Sequence, residues 1–119
     1  MVDDDEAVRA ALADLLESAG YDSMAFGSAE DFLDALPQRR PDGAVLDMQL
    51  PKMDGLGLLQ ELRARGLRFP VLFLSAHDTP HWRDAARQLE VLAYLIKPAR
   101  GDDVIQLLQR SLATRAGFA

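Results

Sequence analysis

The sequence predicts an α/β fold: a doubly wound, five-stranded parallel sheet with helices on both faces. Three observations lead there. Apolar runs without polar alternation recur at Ala44–Leu46, Pro70–Leu74 and Val91–Ile96, as expected of strands buried on both faces. Segments with helical apolar spacing lie between them. Each run also ends on a polar residue, at Asp47, Ser75 and Lys97. Strand–helix alternation implies right-handed crossovers within a single sheet.

The first strand is expected to be short. Only Met1 and Val2 precede the acidic run Asp3–Glu6, well below the roughly five or six residues usual for a strand. Either the sequence starts inside a longer chain, or the domain works with a clipped strand whose neighbours lose ladder partners and core. From Asp5 to Gly20, Val8, Ala11, Leu12, Leu15, Leu16 and Ala19 share one helical face, with Gly20 as a natural stop. Met24–Phe26 is a short second strand. Ser28 caps a second helix, with Asp31 three residues on and Phe32, Leu33 and Leu36 facing inward. Pro41-Asp42-Gly43 is a turn before the strand ending at Asp47. Asp54 caps a third helix through Leu56, Leu59 and Leu62, ending near Gly66. Thr79-Pro80 opens a fourth, proline being tolerated at the first helical position. The last helix starts near Asp102 and buries Val104, Leu107, Leu108 and Leu112. Residues 1–113 read as one domain and 114–119 as a tail or linker stump.

Length and composition narrow the function. At 119 residues the chain has room for one domain with a real core. Thirteen Lys and Arg against nineteen Asp and Glu give a net charge of −6, a poor basis for neutralising nucleic-acid phosphates. Any control of DNA would pass through another domain. The absence of cysteine excludes disulfides, thiol nucleophiles and Cys-based zinc sites. The longest apolar run, Val91–Ile96, falls far short of the roughly 20 residues that span a bilayer, so no membrane partner is expected. The first residues have neither the basic start nor the apolar stretch of a signal peptide, and the expected location is the cytoplasm.

In an open parallel sheet, ligands bind beyond the carboxyl ends of the strands. Those ends carry Asp3 and Asp4, Asp47, Ser75 and Lys97. Carboxylates gathered this closely repel one another; Mg²⁺, which prefers oxygen ligands, relieves the repulsion. Asp5 and Glu6 instead read as a solvated acidic helix N-terminus. A carboxylate at the end of an apolar strand is costly to desolvate, and Asp47 has the chemistry of a nucleophile toward phosphorus. Phosphoryl transfer asks for positioning and for neutral balance at the equatorial oxygens, which Mg²⁺, Lys97 and the Ser75 hydroxyl with nearby N–H groups would supply.

Four segments resemble the receiver (phosphoacceptor) domains of two-component response regulators: Val2–Glu6, Val45–Gly55, Leu74-Ser75-Ala76 and Tyr94–Pro98. The resemblance covers nearly the whole chain. It implies the CheY-like branch of the flavodoxin-like fold, with strand order 2-1-3-4-5. It implies that Asp47 accepts a phosphoryl group from a sensor histidine kinase. It also implies that Asp3, Asp4, Asp47 and the backbone carbonyl of Gln49 surround Mg²⁺, that Lys97 binds phosphate, and that the Lys97–Pro98 peptide is cis. Ser75 matches the switch hydroxyl and Tyr94 the switch aromatic. Phosphorylation is then expected to draw the Ser75 loop inward, let Tyr94 turn inward, and alter the surface of the fourth helix, fifth strand and last helix, through which the domain controls an output partner or forms a homodimer. Gln49 and His77 match positions that tune the lifetime of the phosphoryl group, and His81 is a surface residue. Such a domain is no ordinary enzyme: it catalyses only its own phosphorylation and slow self-hydrolysis. Ala7-Val8-Arg9 and Ser28–Leu33 look like receivers that precede LuxR-type helix-turn-helix domains, although these residues contain no such domain.

The chain departs from the family at Leu89-Glu90-Val91, where many relatives have Ala-Gly-Ala. Glycine there suits a left-handed helix end and Glu90 would be strained, so the fourth helix is expected to end differently or later. Trp82 is expected to be exposed or partner-facing. Among rival readings, a flavin-binding relative would need a phosphate-cradling loop where Asp3, Asp4 and Asp5 stand. An aspartate-nucleophile hydrolase would need an acid where Gln49 stands. The remaining alternative is a pseudo-receiver that binds partners without phosphorylation.

Overall fold

The computed structural model describes residues 1–116, with side chains through residue 111. The apolar runs become three parallel strands, β1 (Ala44–Asp47), β2 (Val71–Ser75) and β3 (Ala93–Ile96), hydrogen-bonded in that order. In register, Asp47 lies opposite Leu74 and Ser75 opposite Ile96. The alternation of side chains across a strand divides the core in two. Ala44, Leu46, Val71 and Phe73 join one cluster; Val45, Leu72 and Leu74 join the other.

Five helices cover the two faces. α1 (Glu6–Ser18) and α5 (Gly101–Ala116) bury Leu12, Leu16, Val104 and Leu108 against the second cluster. α2 (Ala29–Ala35), α3 (Gly55–Ala64) and α4 (Pro80–Gln88) bury Ala29, Phe32, Leu33, Leu58, Leu59, Leu62 and Ala86 against the first. Burying one such Leu or Phe side chain is worth about 1.5–3 kcal/mol, so the two apolar layers dominate the stability. The caps expected at Ser28, Asp54 and Thr79 form, and Asp5, read as a solvated acid, is a fourth. Asp5, Ser28, Asp54 and Thr79 each accept a backbone N–H from the first turn of the helix that follows.

Two expected strands are corrected. The first two are reduced to isolated bridges, in which Val2 pairs in parallel with both Phe26 and Leu46. Val2 donates to Val45 O at 2.8 Å and accepts from Asp47 N at 2.9 Å, while Asp3 N donates to Phe26 O at 3.0 Å. The strips therefore keep the order 2-1-3-4-5, with the first two joined by bridges rather than a ladder. Beside Met1 a cleft of about 660 Å³ opens between Leu16, Met24, Phe32, Ala44 and Leu108.

The end of α4 is also corrected. The helix neither lengthens nor changes its termination: Glu90 takes the left-handed conformation itself, at φ 58°. Its N–H donates to Arg87 O at 3.1 Å, and Val91 N–H to Ala86 O at 3.3 Å. This is the hydrogen-bond pattern of a left-handed helix cap, usually built on glycine. Val91 is consumed in closing the helix, so β3 starts at Ala93 rather than Val91. Trp82, expected outside, is half-buried and packs against the first core cluster. The Leu112 side chain and residues 117–119 of the expected tail lie outside the described residues.

Candidate functional site

Parallel strands bring their carboxyl ends to one edge, and the chain places Asp3, Asp47, Ser75 and Lys97 there. Asp3 is fully buried. Its Oδ1 accepts from Asp5 N at 2.9 Å and its Oδ2 from Lys97 Nζ at 2.9 Å. Asp47, 4% exposed, accepts from Gln49 N at 3.0 Å on Oδ1 and from Lys97 Nζ at 3.1 Å on Oδ2. One ammonium from late in the chain thus joins two buried carboxylates, one beside the N-terminus and one from mid-chain. Lys97 follows β3 directly, and the Lys97–Pro98 peptide is cis.

The electrostatics follow from this shared cation. Burial pushes the Asp47 carboxyl up from the usual range and the Asp3 charge adds to the push, while the Gln49 N–H and Lys97 oppose it. Burial would lower the Lys97 ammonium, but its hydrogen bonds to Asp3 and Asp47 outweigh burial and raise it. The two carboxylates therefore favour the charged form of Lys97. Asp4 is exposed, yet ligand atoms of Asp3, Asp4 and Asp47 all lie within 4.8 Å of one another. The donors are all hard carboxylate oxygens, and three negative charges face one positive charge. That set suits a hard divalent cation such as Mg²⁺ and offers nothing to a soft metal.

A second group lies beside the first. Ser75 is fully buried, and its hydroxyl donates to His77 O at 2.9 Å while accepting from His77 N at 3.1 Å. Tyr94, half-buried in β3, donates its hydroxyl to the same His77 carbonyl at 2.9 Å. Its ring lies 6.4 Å from that of Phe73 and 5.0 Å from the Arg83 guanidinium. The His77 side chain is exposed, so the backbone of this residue, rather than its imidazole, joins Ser75 to Tyr94. His81 is exposed, as expected.

Two neighbours of this edge, and one strained residue in the loop after β1, escaped the sequence reading. Gly55 permits a close approach: a Cβ there would stand 2.4 Å from Asp47 O and 2.8 Å from Met48 Cα. The signal was present in Asp54-Gly55, where a helix cap is followed at once by the smallest residue. Arg9 reaches back from α1 to donate to Asp3 O at 2.8 Å. Lys52 adopts φ 65° in the loop after β1, a strained choice for a non-glycine residue of the kind found near functional sites. No helix among the described residues is long and apolar enough to cross a membrane.

Comparison with known proteins bears on this edge as a whole. Residues 1–109 match the response regulator receiver domain family. The chain is 34% identical over 113 residues to the DNA-binding transcriptional regulator NtrC of Klebsiella pneumoniae, covering 95% of this chain and 24% of that protein. It is 36% identical over 119 residues to the transcriptional regulatory protein TdiR of Thauera aromatica, covering all of this chain and 52% of that one. The chain thus spans only a quarter to a half of these relatives. Among solved structures, the receiver domain of Francisella response regulator 1452 superposes with a TM-score of 0.85 at 26% identity, over 95% of this chain and 94% of that one.

Proposed function

The chain belongs to the response regulator receiver domain family, and on that premise we propose that it is the phosphorylation-dependent switch of a cytoplasmic two-component system. One observation carries the reading: Lys97 Nζ bridges Asp3 and Asp47 at 2.9 and 3.1 Å, within the acidic trio. A carboxylate oxygen of Asp47 attacks the phosphorus of a phosphohistidine on a sensor kinase. The new O–P bond forms as the P–N bond breaks, and the freed imidazole nitrogen keeps the electron pair and takes a proton from solvent. Asp47 is held for attack by the Gln49 N–H. Lys97 is positioned to pass from the two carboxylates to a phosphoryl oxygen. Asp3, Asp4, Asp47 and the backbone carbonyl of Gln49 would hold Mg²⁺, which would supply further positive charge for the phosphoryl oxygens.

The phosphoryl group adds about −1.5 to −2 charges at this edge, and Ser75 gains an acceptor stronger than a neutral carbonyl. Leaving His77 O for that acceptor pulls on the loop after β2. Tyr94 hangs from the same carbonyl, so the surface of α4, β3 and α5 follows. That face is where an output partner or a second copy of the domain would read the change. Gln49 and His77, flanking the phosphoacceptor and the switch serine, set the lifetime of the aspartyl phosphate. DNA binding, as in the name of the NtrC relative, belongs on this reading to another part of a longer protein.

Incubation with acetyl phosphate and Mg²⁺, followed by intact mass, tests the proposal. The wild type should gain one phosphoryl group and Asp47→Asn none. A wild type that gains nothing would favour the phosphorylation-independent interaction module instead.

A further inference from the structure

Arg83 sits in the first turn of α4, where its N–H donates to Thr79 O at 3.1 Å. A cation is disfavoured at this end of a helix, because the helix dipole places positive charge there. Side chains of a helix lean toward its N-terminus, and Arg83 accordingly reaches back over the loop that leads into α4. Two groups receive it. Its Nε pairs with Asp78, the residue after His77, and its guanidinium lies over the Tyr94 ring, 5.0 Å from the centroid. Tyr94 is therefore held on three sides: by Phe73 from the sheet, by the His77 carbonyl at its hydroxyl, and by Arg83 on its ring face.

We infer that Arg83 is a positioning residue for Tyr94, clamped by Asp78, and that this clamp sets how far Tyr94 follows the loop when Ser75 changes partner. The link to phosphorylation rests on the function proposed above; the hold on Tyr94 does not. Phe73 packs at a tilt against the ring, the His77 carbonyl holds its hydroxyl, and the guanidinium lies over its face. Asp78 lies in the moving loop, so the clamp travels with the carbonyl that carries the Tyr94 hydroxyl. Loop and ring then shift as one unit rather than separately. A plain surface ion pair between Arg83 and Asp78 would contribute little and would leave Tyr94 indifferent to it.

The test is the side-chain rotamer population of Tyr94, read by NMR on ring-labelled tyrosine in the unmodified domain. Tyr21→Phe identifies the signals, since the chain has two tyrosines. Arg83→Gln should shift the population away from the His77-bonded rotamer by about two- to five-fold, the range of an exposed cation–π contact. Asp78→Asn should shift it in the same direction, and Arg83→Lys should recover part of the loss. Unchanged populations in Arg83→Gln, or no difference between the Gln and Lys variants, would overturn the inference. Arg83→Gln should still take up phosphoryl from acetyl phosphate, because Arg83 does not touch the acidic edge. A wild type that took up none would remove the proposed function while leaving the rotamer measurement to decide the clamp.

Discussion

The hydroxyls of Ser75 and Tyr94 donate to one acceptor, the backbone carbonyl of His77, each at 2.9 Å. A carbonyl has two lone pairs, so both bonds can form at once, and Ser75 completes its pairing by accepting from His77 N. Removing the Ser75 hydroxyl leaves that N–H to find another acceptor while Tyr94 keeps its bond. Ser75→Ala should cost about 1 kcal/mol, read by urea denaturation, and should speed amide exchange at His77. Ser75→Thr, which retains the hydroxyl, should recover most of both. An unaltered exchange rate at His77 in the alanine variant would contradict this pairing.

Asp47 makes stability depend on pH in the opposite sense to an ordinary ion-paired acid. Burial, followed by the Asp3 charge, raises its folded-state pKa against the pull of the Gln49 N–H and Lys97. The folded state therefore binds this proton more tightly than the unfolded chain. The resulting stabilisation is complete below the ordinary carboxylate range and is lost as pH rises through the raised pKa. In metal-free buffer Asp47→Asn, which cannot ionise, should be more stable than wild type near neutral pH, and the gap should close as the solution is acidified. Mg²⁺ should then raise the wild-type urea midpoint, as any ligand of the folded state does, and move the variant much less. A gap that widened on acidification would invert the sign and refute the account.

Gly55 is confined by backbone rather than by flexible side chains: an added Cβ would stand 2.4 Å from Asp47 O and 2.8 Å from Met48 Cα. Neither atom yields without moving the strand end that carries the proposed phosphoacceptor. Gly55→Ala should cost roughly 1–3 kcal/mol, as overpacking does, and slow phosphoryl uptake from acetyl phosphate. Gly57→Ala, in the same helix but facing the side chains of Asp54 and Met53 at 3.3 Å, is the control and should leave uptake nearly unchanged.

The convergence of Asp3, Asp47, Ser75 and Lys97 was legible because parallel strands align their carboxyl ends, whatever the loops between them do. Short-range pattern placed the helix starts at Ser28, Asp54 and Thr79 because one side chain and one turn of backbone decide them; the cap at Asp5 was hidden within the acidic run. What stayed hidden depends on distances between segments. That Lys97 divides itself between two carboxylates, or that Tyr94 shares an acceptor with Ser75, follows from rotamers that no spacing encodes. The strip at Phe26 forms a bridge rather than a ladder: its backbone bonds go only to Met1 and Asp3, on either side of Val2. Val91 continued an apolar run in the sequence, yet its N–H closes α4, where a helix cap outcompetes a ladder.

That cap supports the clearest stability prediction. Glu90 holds φ 58° at the end of α4, a conformation that costs an L-residue roughly 1–2 kcal/mol and glycine almost nothing. The hydrogen bonds of the cap, from Glu90 N to Arg87 O and from Val91 N to Ala86 O, involve only backbone and survive substitution. Glu90 also lies near Arg63, but it is exposed, and an exposed pair contributes little. Glycine in turn gives the unfolded chain more freedom, which offsets part of the relief. Glu90→Gly should therefore stabilise the domain by about 1 kcal/mol and raise its melting temperature by a few degrees, while Glu90→Val, β-branched and worse at positive φ, should lower it. A glycine variant less stable than wild type would mean that the side chain of Glu90 holds the helix end more strongly than its backbone strains it.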